Sequence, residues 1–191
     1  MSTLISRFSS TLLATSKLQL LIDIDRDVVH QLIAWAAGHG PVHVIDCGCA
    51  FNATRTLELI HLEHVHFKQA MENIEVSRPF TAYQFKTAAR GLIKHPPPAG
   101  SPIVVIGALR LLYDDNIQLG ESMRLLNTLL ADLQQLRQHS LIILTASPPP
   151  ADMQARLCLL QAVMQTADQV IVREPPQPVQ SQQLSLFSQG A

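Results

Sequence analysis

The chain has 191 residues, of which 47% are hydrophobic and only 15% are charged. This composition supports a buried core and excludes an intrinsically disordered protein. Fourteen basic residues oppose 15 acidic ones, and the net charge of -1 excludes a protein that grips long nucleic acid through a general positive charge.

Apolar runs alternate with amphipathic stretches along the chain, which is typical of a parallel sheet whose strands are connected by helices. We therefore predict an α/β fold with a mostly parallel sheet flanked by helices. Asp25 or Asp27 is expected to cap the first helix, and Gly38 to end it. In chain order, the predicted elements are a strand at 18–24, a helix at 28–37, a strand at 42–47, a helix at 54–62, a strand at 74–77, a helix at 81–94, a strand at 103–106, a helix at 118–139, a strand at 141–145, a helix at 151–166 and a strand at 169–173.

The two ends of the chain differ from this pattern. Residues 1–17 are rich in Ser, Thr and Leu and form an N-terminal segment that is compatible with a helix on the sheet edge. Residues 18–174 are predicted to form the single domain. Residues 175–191 are rich in Pro, Gln and Ser and carry no charged side chain, so we expect a flexible tail that cannot bury enough apolar surface to become ordered.

The cysteines and the apolar runs indicate the compartment. Three cysteines are too few for a disulfide framework and favour a reducing environment. No apolar run approaches the roughly 20 residues of a membrane span, and the N-terminus lacks the basic start and apolar stretch of a signal peptide. We expect a cytoplasmic protein without a membrane contact, associated with the nucleoid if the source is bacterial.

Four strand-centred segments resemble those of a known family. Residues 44–51 (VIDCGCAF), followed by Arg55, are similar to a strand with the pattern I-D-T-E-G-T-F, and residues 74–80 (IEVSRPF) to the following strand, V-x-x-A-R-A-F. Residues 103–113 (IVVIGALRLLY) resemble a Walker B strand with its continuation D-S-x-x-x-L-Y, and residues 141–147 (LIILTAS) the nucleotide-sensing strand V-V-I-T-N-Q. In this order and spacing they resemble the ATPase core of the RecA/RadA recombinase family, which implies a RecA-like, P-loop NTPase-like sheet over most of the chain.

The segment that corresponds to the family's P-loop does not contain the residues that hold phosphates. A P-loop requires G-x-x-x-x-G-K-[ST], whose backbone N–H groups and lysine cradle the phosphates, between the first strand and its helix. The connection here is Asp25-Arg26-Asp27, without glycine or lysine. Two carboxylates at a helix N-terminus satisfy the helix dipole themselves and would repel a triphosphate.

Three further positions depart from the family. Its catalytic glutamate corresponds to Gly48, the Walker B aspartate that holds magnesium to Gly107, and the sensor glutamine to Ser147. Four independent parts of the ATPase are therefore replaced together. The resemblance implies a pseudo-ATPase, not an enzyme, with no catalytic residues, no cofactor and no metal.

The loops that bind DNA in the family are also altered. The first of them corresponds to Asp114-Asp115-Asn116, which is acidic, and the second to a proline run at 148–150. Neither offers cations for phosphate contacts. The oligomerisation motif F-x-x-A of the recombinases is not found in the N-terminal segment. We therefore expect DNA to be reached only indirectly, through a partner.

The tail contains a short docking peptide. Residues Gln183, Leu184, Ser185, Leu186 and Phe187 (QLSLF) match the motif by which many bacterial polymerases and repair proteins bind the sliding clamp. The glutamine would hydrogen-bond at a pocket rim while the two leucines and the phenylalanine fill a hydrophobic groove. The alternative is an apolar cluster that folds back on the body of the protein.

Two groups of potential metal ligands lack the arrangement that a metal site requires. The C-x-C spacing of Cys47 and Cys49 places both thiols on one face at a strand end, near His43, but a tetrahedral zinc site needs a fourth ligand. The offsets of a histidine group do not share one helix face, so a solvated loop is favoured. This group consists of His61, His64 and His66.

Two pairs of charged residues are interpreted as structural. Asp114 and Asp115 have no nucleophile or base near them in sequence, so a capping or turn role is expected instead of acid–base chemistry. Arg78 and Arg55 are placed at strand and helix starts, where the resemblance to the family implies a structural or interface role, with DNA contact as the alternative.

These observations lead to one function and two alternatives. We expect a non-catalytic accessory protein of DNA repair, recombination or translesion synthesis, which docks a RecA/RadA-type recombinase or a translesion polymerase and is tethered to the bacterial sliding clamp by its tail. The first alternative is a ligand- or nucleotide-binding enzyme with a site rebuilt around Asp25, residues 47–51, Gly107 and Ser147. The second is a cell-division or stress regulator of the degenerate RecA-like kind.

Overall fold

Six short apolar runs form one sheet in which every strand is parallel to its neighbours. The strands are β1 (Leu18–Ile22), β2 (Val42–Asp46), β3 (Ile74–Ser77), β4 (Ile103–Ile106), β5 (Ile142–Ala146) and β6 (Gln169–Val172). The computed structural model describes residues 17–63 and 66–173, and within them the strand order is β3-β2-β4-β5-β1-β6. The prediction of an α/β fold with a parallel sheet flanked by helices is confirmed.

Helices cover both faces of the sheet. They are α1 (Arg26–Ala37), α2 (Ala53–Glu63), α3 (Phe67–Glu72), α4 (Ala82–Lys94), α5 (Leu119–Leu136) and α6 (Leu157–Thr166). Helices α1 to α3 pack on one face and α4 to α6 on the other. Because side chains alternate along a strand, Leu20 of β1 is buried beneath α5 and α6 while Leu21 is buried on the α1 side. Complete burial of each leucine contributes about 2 kcal/mol of hydrophobic stabilisation.

The ends of α1 follow the capping residues in the sequence. The Asp25 carboxylate accepts a hydrogen bond of 2.9 Å from the backbone N–H of Asp27, which makes Asp25 the N-cap. Gly38 is the C-cap, and its N–H bonds back to the last turn. In α4 the hydroxyl of Thr81 caps the helix in the same way by accepting from the N–H of Gln84.

Several predicted boundaries are wrong by a few residues. Strand β1 ends at Ile22 instead of 24, because Asp23 adopts a left-handed backbone with φ 54° and turns the chain. Strand β2 ends at Asp46 instead of 47, where a turn begins. Helix α5 stops at Leu136, three residues before the predicted end, with Arg137 as its C-cap.

Larger differences occur in three short elements. The helix predicted at 151–166 is wrong in its first part, because residues Ala151–Arg156 form a 3₁₀ segment interrupted by a non-helical Met153. A proline run precedes this segment and no side chain caps it, so a regular α-helix begins only at Leu157. Helix α3 and the 3₁₀ turn Arg110–Leu112 were not predicted, since neither is long enough to show a hydrophobic period.

Among the described residues, none of the helices combines the length and the apolar character that crossing a membrane requires.

A buried arginine joins α6 to the segment before α5. Nη1 of Arg156 donates to the carbonyl of Leu112 at 2.7 Å and to the Ser122 hydroxyl at 2.8 Å, and Nη2 donates to the carbonyl of Ile117. Arg156 is only 8% exposed. Its guanidinium therefore satisfies three acceptors that would otherwise be buried without a donor.

We expect Arg156→Met to lower the free energy of unfolding by about 3 kcal/mol, because the apolar replacement fills the space but leaves three acceptors without a donor. Urea denaturation followed by circular dichroism measures the change. The control is Arg124→Met, since Arg124 is an exposed residue of α5, and this substitution should hardly alter the urea midpoint. Equal effects of the two substitutions would contradict this role of Arg156.

Candidate functional site

The carboxyl ends of three adjacent strands form the wall of a cavity. β1, β5 and β4 are neighbours in the sheet, and these are the strands that the sequence equates with the P-loop, sensor and Walker B strands. Arg26, Gly48, Gly107 and Ser147 all line this cavity, whose volume is about 290 Å³. Six positions, Asp25, Arg26, Asp27, Gly48, Gly107 and Ser147, depart from the family pattern in the sequence. The structure brings four of them together at the edge where parallel α/β sheets bind ligands.

The two remaining positions, Asp25 and Asp27, lie beside the cavity without lining it. Asp25 caps α1, and its carboxylate is 3.8 Å from the Arg173 guanidinium. Asp27 receives two hydrogen bonds from Arg55, at 3.2 Å and 2.9 Å. These bonds lower the pKa of Asp27 and raise that of Arg55. Both acidic side chains are therefore engaged with arginines.

The cavity combines an apolar wall with cationic and polar groups. Its apolar surface includes Ile24, Val29 and Ile106, and two prolines close the side that follows β5. Its polar residues are Arg26, His30, Arg110, Tyr113, Thr145 and Ser147. No aspartate or glutamate is among the described residues that line it.

A buried carboxylate organises the loop that carries Gly48. The side chain of Asp46 is fully buried, its Oδ1 accepts from the N–H of Ala50 at 2.9 Å, and its Oδ2 accepts from the N–H of Phe51 at 3.1 Å. Oδ2 also accepts from Nε of Arg78 at 3.0 Å, and Nη2 of Arg78 reaches the carbonyl of Phe51. One carboxylate therefore fixes residues 47–51 as a tight turn and anchors them to the end of β3.

The turn brings two glycines into close contact. Gly107 has φ 68°, and a Cβ at this position would lie 3.4 Å from both N and Cα of Gly48. The N–H of Gly107 donates to Oγ1 of Thr145 at 2.9 Å, which ties the end of β4 to β5. An aspartate at Gly107 would be strained by the left-handed backbone and crowded by Gly48.

His30 is fully engaged in structural hydrogen bonds. Its Nδ1 lies 2.6 Å from the carbonyl of Arg26, and its Nε2 accepts from the backbone N–H of Asn52 at 2.9 Å. Together these bonds require a neutral ring with the proton on Nδ1. Asn52 in turn accepts from the N–H of Arg55 at the start of α2. The histidine therefore joins α1 to α2, and neither of its nitrogens is left for proton transfer.

Tyr113 closes one side of the cavity. Its hydroxyl donates to the carbonyl of Ser147 at 3.0 Å, a bond that spans 34 residues and fixes the chain after β5. Burial raises the pKa of Tyr113 to about 12, with smaller contributions from the negative charge of Asp23 and from Cys158. The hydroxyl is thus a stable donor at neutral pH.

The prediction that Cys47 and Cys49 share a face is wrong. Because β2 ends at Asp46, both cysteines lie in the turn: Cys47 is buried, and Cys49 is exposed with φ 50°. Burial, and next the charge of Asp46, raises the pKa of the Cys47 thiol far above its usual range. Within residues 17–63 and 66–173, no three His, Cys, Asp or Glu side chains are grouped to hold a metal ion.

The remaining acidic, arginine and histidine side chains make local contacts. Asp114 accepts from both the backbone N–H and the side-chain amide of Asn116, which lowers its pKa and is the expected turn role. Arg55 and Arg78 form the ion pairs given above, in keeping with a structural use. His61 packs its ring edge-on against Phe67. His64 and the QLSLF motif lie outside the described residues.

Sequence reasoning missed four residues that build the site. Asp46 was quoted only as part of a motif, although a charged residue at the end of the apolar run VHVID is a signal for a buried, partnered carboxylate. His30, Arg110 and Tyr113 gave no comparable signal, because their places depend on loops that bring α1, β4 and β5 together.

The sequence matches no model of a known protein family, and no curated protein is significantly similar to it.

We expect Asp46→Asn to lower the free energy of unfolding by about 3 kcal/mol, because an amide group would present N–H donors to the N–H donors of the turn and of Arg78. Urea denaturation measures the loss. Glu58→Gln is the matched control, since Glu58 is exposed and is paired with Arg55 on the surface, so the urea midpoint of this variant should stay close to that of the natural chain. A value for Asp46→Asn as small as that of the control would show that the buried carboxylate does not hold the turn.

Proposed function

We propose that the protein is a non-catalytic accessory protein of DNA repair, recombination or translesion synthesis. Its RecA-like body docks a partner protein, and its C-terminal residues bind the bacterial sliding clamp. The observation that carries the non-catalytic part is the cavity at the carboxyl edge. The cavity is lined by Arg26, Gly48, Gly107 and Ser147. The resemblance matches these residues to the P-loop, the catalytic glutamate, the Walker B aspartate and the sensor glutamine, and none of them has the side chain that ATP hydrolysis needs.

Nucleotide binding of the family's kind is disfavoured by two features. Magnesium prefers carboxylate and water oxygens, and no carboxylate is among the described residues that line the cavity. Phosphates bind to free N–H groups at a helix N-terminus, but in α1 the Asp25 carboxylate already accepts from the N–H of Asp27. The Asp27 carboxylate adds a second negative charge at the same place.

Exposed apolar side chains support a protein partner for the body. β3 is an edge strand, so its outer backbone groups are unpaired within the described sheet, and it carries Val76 with 39% of the side chain exposed. The loop after β3 presents Phe80, which is 67% exposed, and α4 begins with the exposed Tyr83. A recombinase or a translesion polymerase that covers these groups would remove apolar surface from water.

The QLSLF motif supports the clamp as second partner. About ten residues separate Arg173, which follows β6, from Gln183. Binding of one end would raise the effective concentration of the body near the clamp into the millimolar range.

We expect the full-length protein to bind an immobilised bacterial sliding clamp with a micromolar dissociation constant, equivalent to about -8 kcal/mol. The double variant Leu186→Ala with Phe187→Ala should bind at least about 10-fold more weakly, because it loses both apolar anchors. Biolayer interferometry measures both, and Gln182→Ala, one residue before the motif, is the control that should keep full affinity. Binding that survives the double substitution would contradict the role of the motif.

We expect no saturable retention of radiolabelled ATP by the purified protein in equilibrium dialysis with magnesium, because the described lining of the cavity offers the metal no carboxylate and Asp25 occupies an N–H group at the start of α1. An active recombinase dialysed in parallel confirms that the assay detects binding. Saturable retention of one ATP per chain would overturn the pseudo-ATPase part of the proposal and leave the clamp-binding part unaffected.

A further inference from the structure

We propose that the cavity at the carboxyl edge of the sheet binds a small organic anion, a carboxylate or phosphate group on a compact apolar body, without a metal ion. The site is built from Arg26, Arg110 and Ser147 on an apolar wall. This proposal goes beyond the accessory function and does not depend on clamp binding or on a protein partner.

The main evidence for an anion site is the positive charge of the cavity. Arg26 and Arg110 both line it, and neither guanidinium has a hydrogen-bond partner or a carboxylate within 4.0 Å among the described residues. Every described ion pair near the site uses another arginine. Asp25 pairs with Arg173, Asp27 with Arg55 and Asp46 with Arg78.

The carboxylates near the cavity lie outside its described lining. Asp25 and Asp27 flank Arg26 in sequence but are paired with other arginines. Asp23, which lies near enough to influence Tyr113, is exposed and does not line the cavity. Two arginines without partners beside an apolar wall attract an anion by charge and can hold it by charge-assisted hydrogen bonds.

The volume and the wall define the class of ligand. A cavity of about 290 Å³ lies at the lower end of the range of small-molecule sites, roughly 300–1,000 Å³, so the ligand is compact. Ile24, Val29 and Ile106 offer an apolar surface to its body. The hydroxyl of Ser147 makes no hydrogen bond within the described part of the chain and adds a donor near the arginines.

The backbone around the cavity is held in place before a ligand arrives. The Asp46 carboxylate fixes the turn that carries Gly48, and Thr145 binds the N–H of Gly107. Tyr113 fixes the carbonyl of Ser147. Binding therefore has to order only the exposed side chains of Arg26 and Arg110.

The described lining contains no carboxylate, so it suits an anion that arginines bind directly better than a nucleotide that is bound through magnesium. Two arginines neutralise an anion directly, whereas a metal-bridged phosphate requires oxygen ligands for the metal. Binding is therefore expected to persist in EDTA.

The test is isothermal titration calorimetry of the full-length protein in EDTA with phenyl phosphate, benzoate, inorganic phosphate and the neutral benzyl alcohol. We expect saturable 1:1 binding of phenyl phosphate, benzoate or both, and at least about 10-fold weaker binding of benzyl alcohol, which lacks the charge. Weaker binding of inorganic phosphate than of phenyl phosphate shows that the apolar body contributes.

Two variants locate the binding. Arg26→Gln with Arg110→Gln should weaken anion binding at least about 10-fold, whereas Arg124→Gln on α5 should not change it. Gly48→Leu should abolish binding by filling the cavity, since a Cβ at Gly48 would be in ordinary contact at 3.6 Å from Arg110 and 3.8 Å from Ala50. Circular dichroism confirms that each variant is folded, and Arg26→Lys with Arg110→Lys should recover part of the affinity.

Three results would overturn the proposal. They are the absence of saturable binding by both organic anions, binding that appears only when magnesium is added, and equal affinities of the natural chain and a folded Arg26→Gln, Arg110→Gln variant.

Discussion

A single buried carboxylate holds the functional edge of this protein together. Asp46 sits at the end of a central strand and satisfies two backbone N–H groups and one arginine with its two oxygens. An ionised group without solvent is tolerated only when its lone pairs are used in this way. Gly48 of the resulting turn lies against Gly107, and both glycines line the cavity. Arg110 also borders this turn, since its Cδ would be 3.6 Å from a Cβ at Gly48.

The same edge separates the residues that build the sheet from those that shape the cavity. The strands are apolar and parallel, because hydrophobic burial on both faces requires little more than Val, Ile and Leu. The cavity is lined at its loop positions by glycine, serine and arginine, and two neighbouring acidic side chains are paired with other arginines. A cavity with cations and no carboxylate among its described lining residues is suited to holding an anion and poorly suited to holding a metal.

The sequence predicted the sheet well and the site only in part. Apolar runs bounded by turns are local signals, so all six strands and the caps at Asp25 and Gly38 could be identified. Short elements such as α3 were not predicted, because they have too few helical turns to show a repeating pattern of apolar residues. The pairing of Asp46 with Arg78 depends on the register of β2 with β3, in which Ile45 lies opposite Ser77, and no local pattern specifies a register between distant segments. The place of Arg110 in the cavity likewise depends on an unanticipated 3₁₀ turn.

The strand order also sets a distance across the molecule. β3, with its exposed apolar residues, is one margin of the described sheet, and β6 is the other. Five interstrand spacings of about 4.8 Å separate these margins by roughly 24 Å. A molecule that covers Val76 and Phe80 at the β3 margin would therefore have to extend across all six strands to reach β6 as well.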